Sequence, residues 1–382
     1  MSSSERIEQK FSSYDELLHA GIEAVARFGL DRVTVADVIK ISGHSRPTFY
    51  SYFGDINGML AEIWIRFGRS MLDSQLYEVG ESVGPVERNP GLESSLLQIL
   101  CAMHRLPEVQ EILEPDYVDW WKHATKGNRY IELKLSWILA IKIGIALSQH
   151  IDPQHQQAGV VLPVLRTMPD NLDGSPLLAG LGEFPPFPEA NSVIVEADST
   201  EDAIMNATIE VVANSGVAAA SVARIARKSR ISTGSIYPRF ATGKDLVEKS
   251  FDRAIADIVS GNLEQAGSVG LGTDQYGLTI RAGFGKNRSV WRNYRIEMFL
   301  ASLHDDGIRS KMVPGFETTR QQLVDGIASL PNFGPALSQP LSYLMQVLGL
   351  GLSILQNAGL KLEELDHRIP ARYIGAAIAQ AE

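Results

Sequence analysis

Two short stretches carry the side chains best suited to hold a binding partner. "SRPTFYSYF" runs from Ser45 to Phe53, and "STGSIYPRF" runs from Ser232 to Phe240. Each begins with a hydroxyl residue, sets a tyrosine five places on and a phenylalanine three places later. Tyr50 and Tyr237 stand 187 positions apart. Phe49, Phe53, Ile236 and Phe240 read as core anchors, which leaves Arg46, Thr48, Tyr50, Ser51 and Tyr52 outside in the first copy. In the second, Thr233, Ser235, Tyr237 and Arg239 are left outside. Hydroxyls and arginines suit phosphate oxygens and base edges, and Arg46 in a first helical turn can take a guanine edge with two bonds. Packing alone is the competing explanation, because short amphipathic helix pairs are common.

The elements that position these residues also come twice. Shifted by 187, the stretch from Glu16 to Phe53 aligns with that from Ala203 to Phe240 without a gap. Ala20, Ile22, Glu23, Val25, Gly29, Val35, Ser45, Tyr50 and Phe53 all meet identical residues. The first helix is expected to open at Ser13, with Glu16 completing a capping box, and to close before Gly29. Its counterpart opens at Ser199, with Asp202, and closes before Gly216. A second helix starts at Thr34 or Ser221 and buries Val35, Val38 and Ile39, or Val222, Ile225 and Ala226. A tight break and a third helix, from Ser45 or Ser232, complete a helix-turn-helix, whose last helix can enter a DNA major groove.

This order, a helix ending in Gly, then T-V-x-x-V, then S-R-P-T-F-Y-x-Y-F, resembles the amino-terminal domain of tetracycline-repressor-like (TetR family) regulators. S-T-G-S-I-Y-x-x-F resembles the same domain. The resemblance implies a bacterial transcription regulator, with a three-helix DNA-binding head and a helical ligand-sensing body in each unit. It also implies phosphate contacts from the hydroxyl and tyrosine, hence from Thr48 and Tyr50, and from Ser235 and Tyr237. The family's lysine three places after the phenylalanine is Ile56 in the first copy; in the second, Lys244 stands one place late. The turn glycine is Gly43 in one copy and Arg230 in the other, where a left-handed backbone costs about 1 kcal/mol. The candidate DNA-contacting set is therefore Thr34, Ser45, Arg46, Thr48, Tyr50 and Tyr52, with Ser221, Arg224, Arg227, Lys228, Ser232, Thr233, Ser235, Tyr237, Arg239 and Lys244.

The heads differ in charge. From Thr34 to Phe53, Lys40 and Arg46 oppose Asp37, a balance of +1; from Ser221 to Phe240, Arg224, Arg227, Lys228, Arg230 and Arg239 meet no acid, a balance of +5. A net charge of −10 for the whole chain argues against DNA binding as a general surface property but not against a local basic face.

The 382 residues exceed one ordinary core, and "MPDNLDGSPLLAGLGEFPPFPEANS" punctuates them midway. Elsewhere amphipathic helical patterns prevail, so the fold class expected is all-α, in two tandem TetR-like units. The domains expected are a first head at 1–58, a first helical body at 59–167 and a Pro/Gly-rich linker at 168–198. A second head at 199–246 and a second body at 247–382 follow. Family members pair as homodimers on palindromes; a chain with two unlike heads can pair with itself, as a monomer reading two dissimilar half-sites. The largely apolar stretches "RYIELKLSWILAIKIGIALSQH" and "PLSYLMQVLGLGLSILQ" are the expected pairing helices, with Gly349 and Gly351 allowing close approach.

A small apolar effector is expected among Tyr117, Trp120, Trp121, Trp291, Tyr294 and Met298, although aromatic stripes at helical spacing are also what cores look like. The single Cys101, the absence of an apolar signal core and the absence of a run of about 18 apolar residues fit a cytoplasmic protein without a membrane span. No metal, cofactor or catalytic motif is found: His150 and His155 beside Asp152 read as a helix end, and "GFGK" at Gly283 is a lone glycine pair. The alternative to a regulator is a ligand- or protein-binding helical module whose heads, the first above all, no longer bind DNA.

Overall fold

The computed structural model describes residues 3–76, 89–186, 197, 199–255, 272–328 and 335–381. Helices make up the regular structure, with no strand among the described residues, as an all-α class requires. The chain divides into two compact units, Met1–Trp120 and Trp121–Glu382.

The first unit holds α1 (Ser3–Phe28), α2 (Val35–Ser42), α3 (Arg46–Phe53), α4 (Ile56–Leu76), α5 (Pro90–Ala102) and most of α6 (Pro107–Thr125). Helix α1 starts ten residues before the expected Ser13. Glu16 is engaged by Ser12 Oγ at 2.9 Å and by His44 Nε2 at 2.7 Å, so the acid serves links along and across helices instead of a cap. Leu17, Leu18, Ala24 and Val25 bury the inner face of α1 completely. The end of α1 is clamped by Gln98 of α5, whose Oε1 accepts from Leu30 N at 2.9 Å while Nε2 donates to Val25 O at 3.4 Å. A leucine here would leave Leu30 N orphaned, whereas Val25 O would keep the bond from Gly29 N at 2.9 Å. Tyr14 Oη donates to Glu62 at 2.6 Å and ties α1 to α4.

The second unit holds α7 (Arg129–Ser148), α8 (Leu162–Arg166), α9 (Thr200–Ser215), α10 (Val222–Ser229), α11 (Thr233–Ile236) and α12 (243–255). After these come α13 (Thr273–Ala282), α14 (Ser289–Ser302), α15 (Asp306–Ala328), α16 (Pro335–Asn357) and α17 (Arg368–Ala381). Helix α7, from the first repeat, lies along α16, from the second. Two glycines permit this: a Cβ at Gly144 would strike the Val347 carbonyl, and one at Gly351 the Ala140 carbonyl. Gly349, expected to serve the same end, does not; its missing side chain faces the Arg295 guanidinium instead. Two residues along a helix turn it by about 200°, so Gly349 and Gly351 cannot both face one partner.

Around this seam, polar bonds join the two repeats. Trp137 Nε1 donates to His367 Nδ1 at 3.0 Å, which fixes the tautomer, and His367 Nε2 then donates to Leu362 O at 2.9 Å. Burial pushes His367 down to a pKa of about 4, and does the same to His150, whose Nε2 lies 2.8 Å from Ser302 Oγ. Residues 168–186 of the Pro/Gly-rich stretch pack as a strap. Met168 and Leu172 cluster with Tyr130, Leu133 and Ile369. Arg368 Nη1 donates to Leu181 O at 2.7 Å, and Arg372 Nη1 to Leu177 O at 3.0 Å and Ala179 O at 2.9 Å. Arginine donors thus satisfy carbonyls that no helix pairs. The remainder of the expected linker, 187–196 and 198, lies outside the described residues. Among the described residues, no helix is long and apolar enough to cross a membrane.

Candidate functional site

The first head is set by two caps and one turn. Thr34 Oγ1 accepts from Asp37 N at 3.3 Å and Asp37 Oδ2 accepts from Thr34 N at 3.0 Å, a reciprocal capping box. Helix α2 ends at Gly43, whose φ of 73° only a residue without Cβ takes freely. Ser45 then caps α3, accepting from Thr48 N at 3.3 Å, with its Oγ 2.8 Å from Thr48 Oγ1. Pro47 sits in the first turn, where no donor is missed. Phe49 is fully buried and Phe53 nearly so, which anchors α3 and turns Arg46, Tyr50 and Ser51 outward; Tyr50 is 51% exposed. Tyr52 is half-buried, edge-on to Tyr14 with ring centres 5.6 Å apart.

The second head repeats the plan. Ser221 caps α10 by accepting from Arg224 N at 3.3 Å. Ser232 caps α11 by accepting from Ser235 N at 3.2 Å, with the hydroxyls 2.9 Å apart. The paired hydroxyl at cap and third position is therefore the same in both heads, and each retains bonding capacity toward an outside oxygen. Ile236 and Phe240 are buried, and Tyr237 is 58% exposed. Thr233 is exposed beside it. Arg230 does take the left-handed conformation, at φ 59° and ψ 28°, in the place of the glycine.

Two features of this head escape a reading of spacing alone. Helix α11 is four residues long where α3 has eight. Pro238 stands where the first copy has Ser51; it has no N–H to donate back, so Arg239 N and Phe240 N bond Ile236 O at 2.9 and 3.0 Å as tight turns. The cations are also partly engaged. Lys228 pairs with Glu210 of α9, Arg224 Nη2 donates to Ser215 Oγ at 2.7 Å, and Arg239 Nη1 donates to Ser235 O at 2.8 Å. Lys244 is drawn to Asp305 at 3.2 Å, while Arg227 stands exposed on α10. Counting Glu210 with the face it joins, the local balance falls from +5 to +4.

The six aromatic and sulfur positions expected to hold an effector separate. Tyr117 and Trp120 stack with centres 5.7 Å apart, and Trp120 Nε1 donates to Asp73 at 2.8 Å. Trp121 is buried in the same helix, while Tyr294, bonded to Ser250 Oγ at 2.9 Å, and Met298 are fully buried on α14. Trp291 alone of the six lines a cavity of about 460 Å³ in the second unit. Its other walls include Trp137 and His155 of the first repeat and Phe251, Phe299 and Leu344 of the second. Arg288, Arg292 and Arg295 also line it, and they were missed because spaced charges on a helix ordinarily mark a wet face. His150 and His155 do not form a joint site: His155 Nε2 lies 3.3 Å from Gln346 Oε1, and His150 bonds Ser302.

Comparison with known proteins falls on the two heads. The family described as "Bacterial regulatory proteins, tetR family" matches residues 17–63 and again 204–249. A Bacillus subtilis (strain 168) protein, YvdT, described as an uncharacterized HTH-type transcriptional regulator, is 34% identical over 55 residues. That match covers 14% of this chain and 28% of the relative's length. Both matched regions coincide with the capped three-helix arrangements just described. The chain thus carries two tetR-family domains in tandem, one at the head of each of its repeats.

Proposed function

We propose that the chain is a ligand-responsive transcription regulator, a repressor in the cytoplasm, that binds operator DNA as a single-chain pseudo-dimer with one head on each of two unlike half-sites. The observation that carries this reading is the repeated presentation of the same surface. Each head buries its phenylalanine anchor and holds out a tyrosine beside a matching hydroxyl pair, Ser45 with Thr48 and Ser232 with Ser235. Thr48, Tyr50, Ser235 and Tyr237 are suited to phosphate, Arg46 to a base edge, and Arg227 and Arg239 to the backbone beside it. Pairing within one chain is supported by α7 and α16, which bring the bodies of the two repeats together in a contact closed by Gly144 and Gly351. The cavity of the second unit is the place for an effector, and its walls draw on both repeats. The description of the Bacillus relative as a transcriptional regulator agrees.

Mobility shift of the full chain on the DNA upstream of its own gene, across a salt series, tests the reading. Binding that weakens steeply with salt and is lost in the double variant Tyr50→Phe, Tyr237→Phe supports it. Salt-insensitive or undetectable binding leaves the helical-module alternative. A silent first head is favoured by one observation, its balance of +1, and Tyr50→Phe alone separates that case: no effect means the second head binds unaided.

A further inference from the structure

We propose that the cavity of the second unit binds an apolar molecule with a single anionic head, and that Arg292 and Arg295 hold the head. This deepens the ligand-responsive part of the reading above, on whose effector site it rests. Arg292 and Arg295 are three apart on α14, and Arg288 stands at the N-cap of that helix four residues before Arg292, so all three guanidinium groups reach the cavity from one side. No Asp, Glu or Lys is among the described residues that line the cavity. Arg292 is 8% exposed; its Nη1 donates to Gly283 O at 2.7 Å and Gly285 O at 2.9 Å, which fixes the group, and its Nε has no partner. Arg295 Nη2 donates to Ser353 Oγ at 3.3 Å, and its Nε likewise has no partner.

Two cations are therefore held in place with unfilled donors and no opposing carboxylate in the space they face. Burial draws both pKa values down to about 10, so both remain charged at neutral pH, and Arg292 adds its repulsion to Arg295. Glu363 acts on Arg292 through its field but does not line the cavity. An anion supplies the missing charge and accepts from the idle Nε donors. The remaining walls are mostly apolar, with Phe251, Phe299, Phe316 and Leu344 among them, so a bare inorganic ion matches only one end. An occupant with a carboxylate at one end and a hydrocarbon body matches both, in a space within the ordinary range for small-molecule pockets.

Calorimetric titration of the full chain, without DNA, tests this with sodium dodecanoate, 1-dodecanol and inorganic phosphate as probes. Expected are one dodecanoate per chain, dodecanol at least about tenfold weaker, and no heat from phosphate at the same concentration. Arg295→Met weakens dodecanoate about tenfold and leaves dodecanol unchanged. Arg292 also supports two backbone carbonyls, so its loss confounds folding with binding, and a second variant avoids this. A Cβ at Gly349 lies 3.8 Å from Arg295 Nη1 and Nη2 with nothing nearer. Gly349→Glu plants a carboxylate there, raising Tm above that of Gly349→Gln and excluding dodecanoate. Equal affinity for dodecanoate and dodecanol, phosphate binding as well as dodecanoate, or wild-type dodecanoate binding by Arg295→Met or by Gly349→Glu overturns the proposal. Because DNA is absent, such a failure leaves the operator reading standing; lost operator binding with intact dodecanoate binding does the reverse.

Discussion

The two heads share a frame and differ in what they hang on it. Cap hydroxyls, buried phenylalanine and outward tyrosine coincide, yet the first head has a glycine turn, an eight-residue α3 and almost no net charge. The second strains an arginine into the left-handed region, stops α11 after one turn and gathers cations on α10. Duplication followed by unequal change is what a chain needs to read two different sequences with one architecture. A homodimer cannot do so, because any change in one head appears in both.

The shared frame predicts the largest effects. Phe49→Ala and Phe240→Ala each remove a side chain 0–1% exposed, and each lowers stability by about 3–5 kcal/mol in urea denaturation of its own unit. A loss below about 1 kcal/mol in either head breaks the equivalence. Next comes acid. His150 and His367, held down to about 4, bind protons in the unfolded chain first, so stability is complete above about pH 6.5 and declines as pH falls toward 4. At pH 5.5 this amounts to about 1.4 kcal/mol for each, and calorimetry should show the second unit's transition falling, less so in His367→Gln.

Smaller effects separate the heads further. Arg227→Ala with Arg239→Ala should lower operator affinity about tenfold and reduce the salt slope by about 0.9 for each phosphate no longer neutralised. Arg46→Ala should relax sequence preference at one base instead. In the turns, Arg230→Gly should stabilise by up to about 1 kcal/mol and Gly43→Arg destabilise by a similar amount, read from Tm. Least of all, Pro238→Ser should extend α11 toward the length of α3, seen as slower amide hydrogen exchange at residues 238–240, with affinity little changed.

What could be read from the chain was local or repeated. Thr34, Ser45, Ser221 and Ser232 declare their helices because a cap is made within three residues, and the two copies vouch for each other. What could not be read depended on distant chain. Lys244 meets Asp305, 61 positions away, and Lys228 meets Glu210 on another helix. Tyr294 and Met298 have the pattern of a pocket wall and belong to a core, whereas the arginines beside them have the pattern of a wet face and line a cavity. Periodicity reports which residues share a face and not what lies opposite. Gly144 escaped for the same reason, since only the carbonyl of Val347 across the seam gives its missing side chain a purpose. Pro238 was in plain view, but the spacing of tyrosine and phenylalanine around it masked its effect on the helix.

The number of chains on one operator decides whether the two heads work as a pair within a single polypeptide. Native mass spectrometry of the complex with a footprinted duplex from the chain's own upstream region measures that number. Expected is one 41.8 kDa chain on a site whose two halves differ in sequence. Two chains on a perfect palindrome would contradict it.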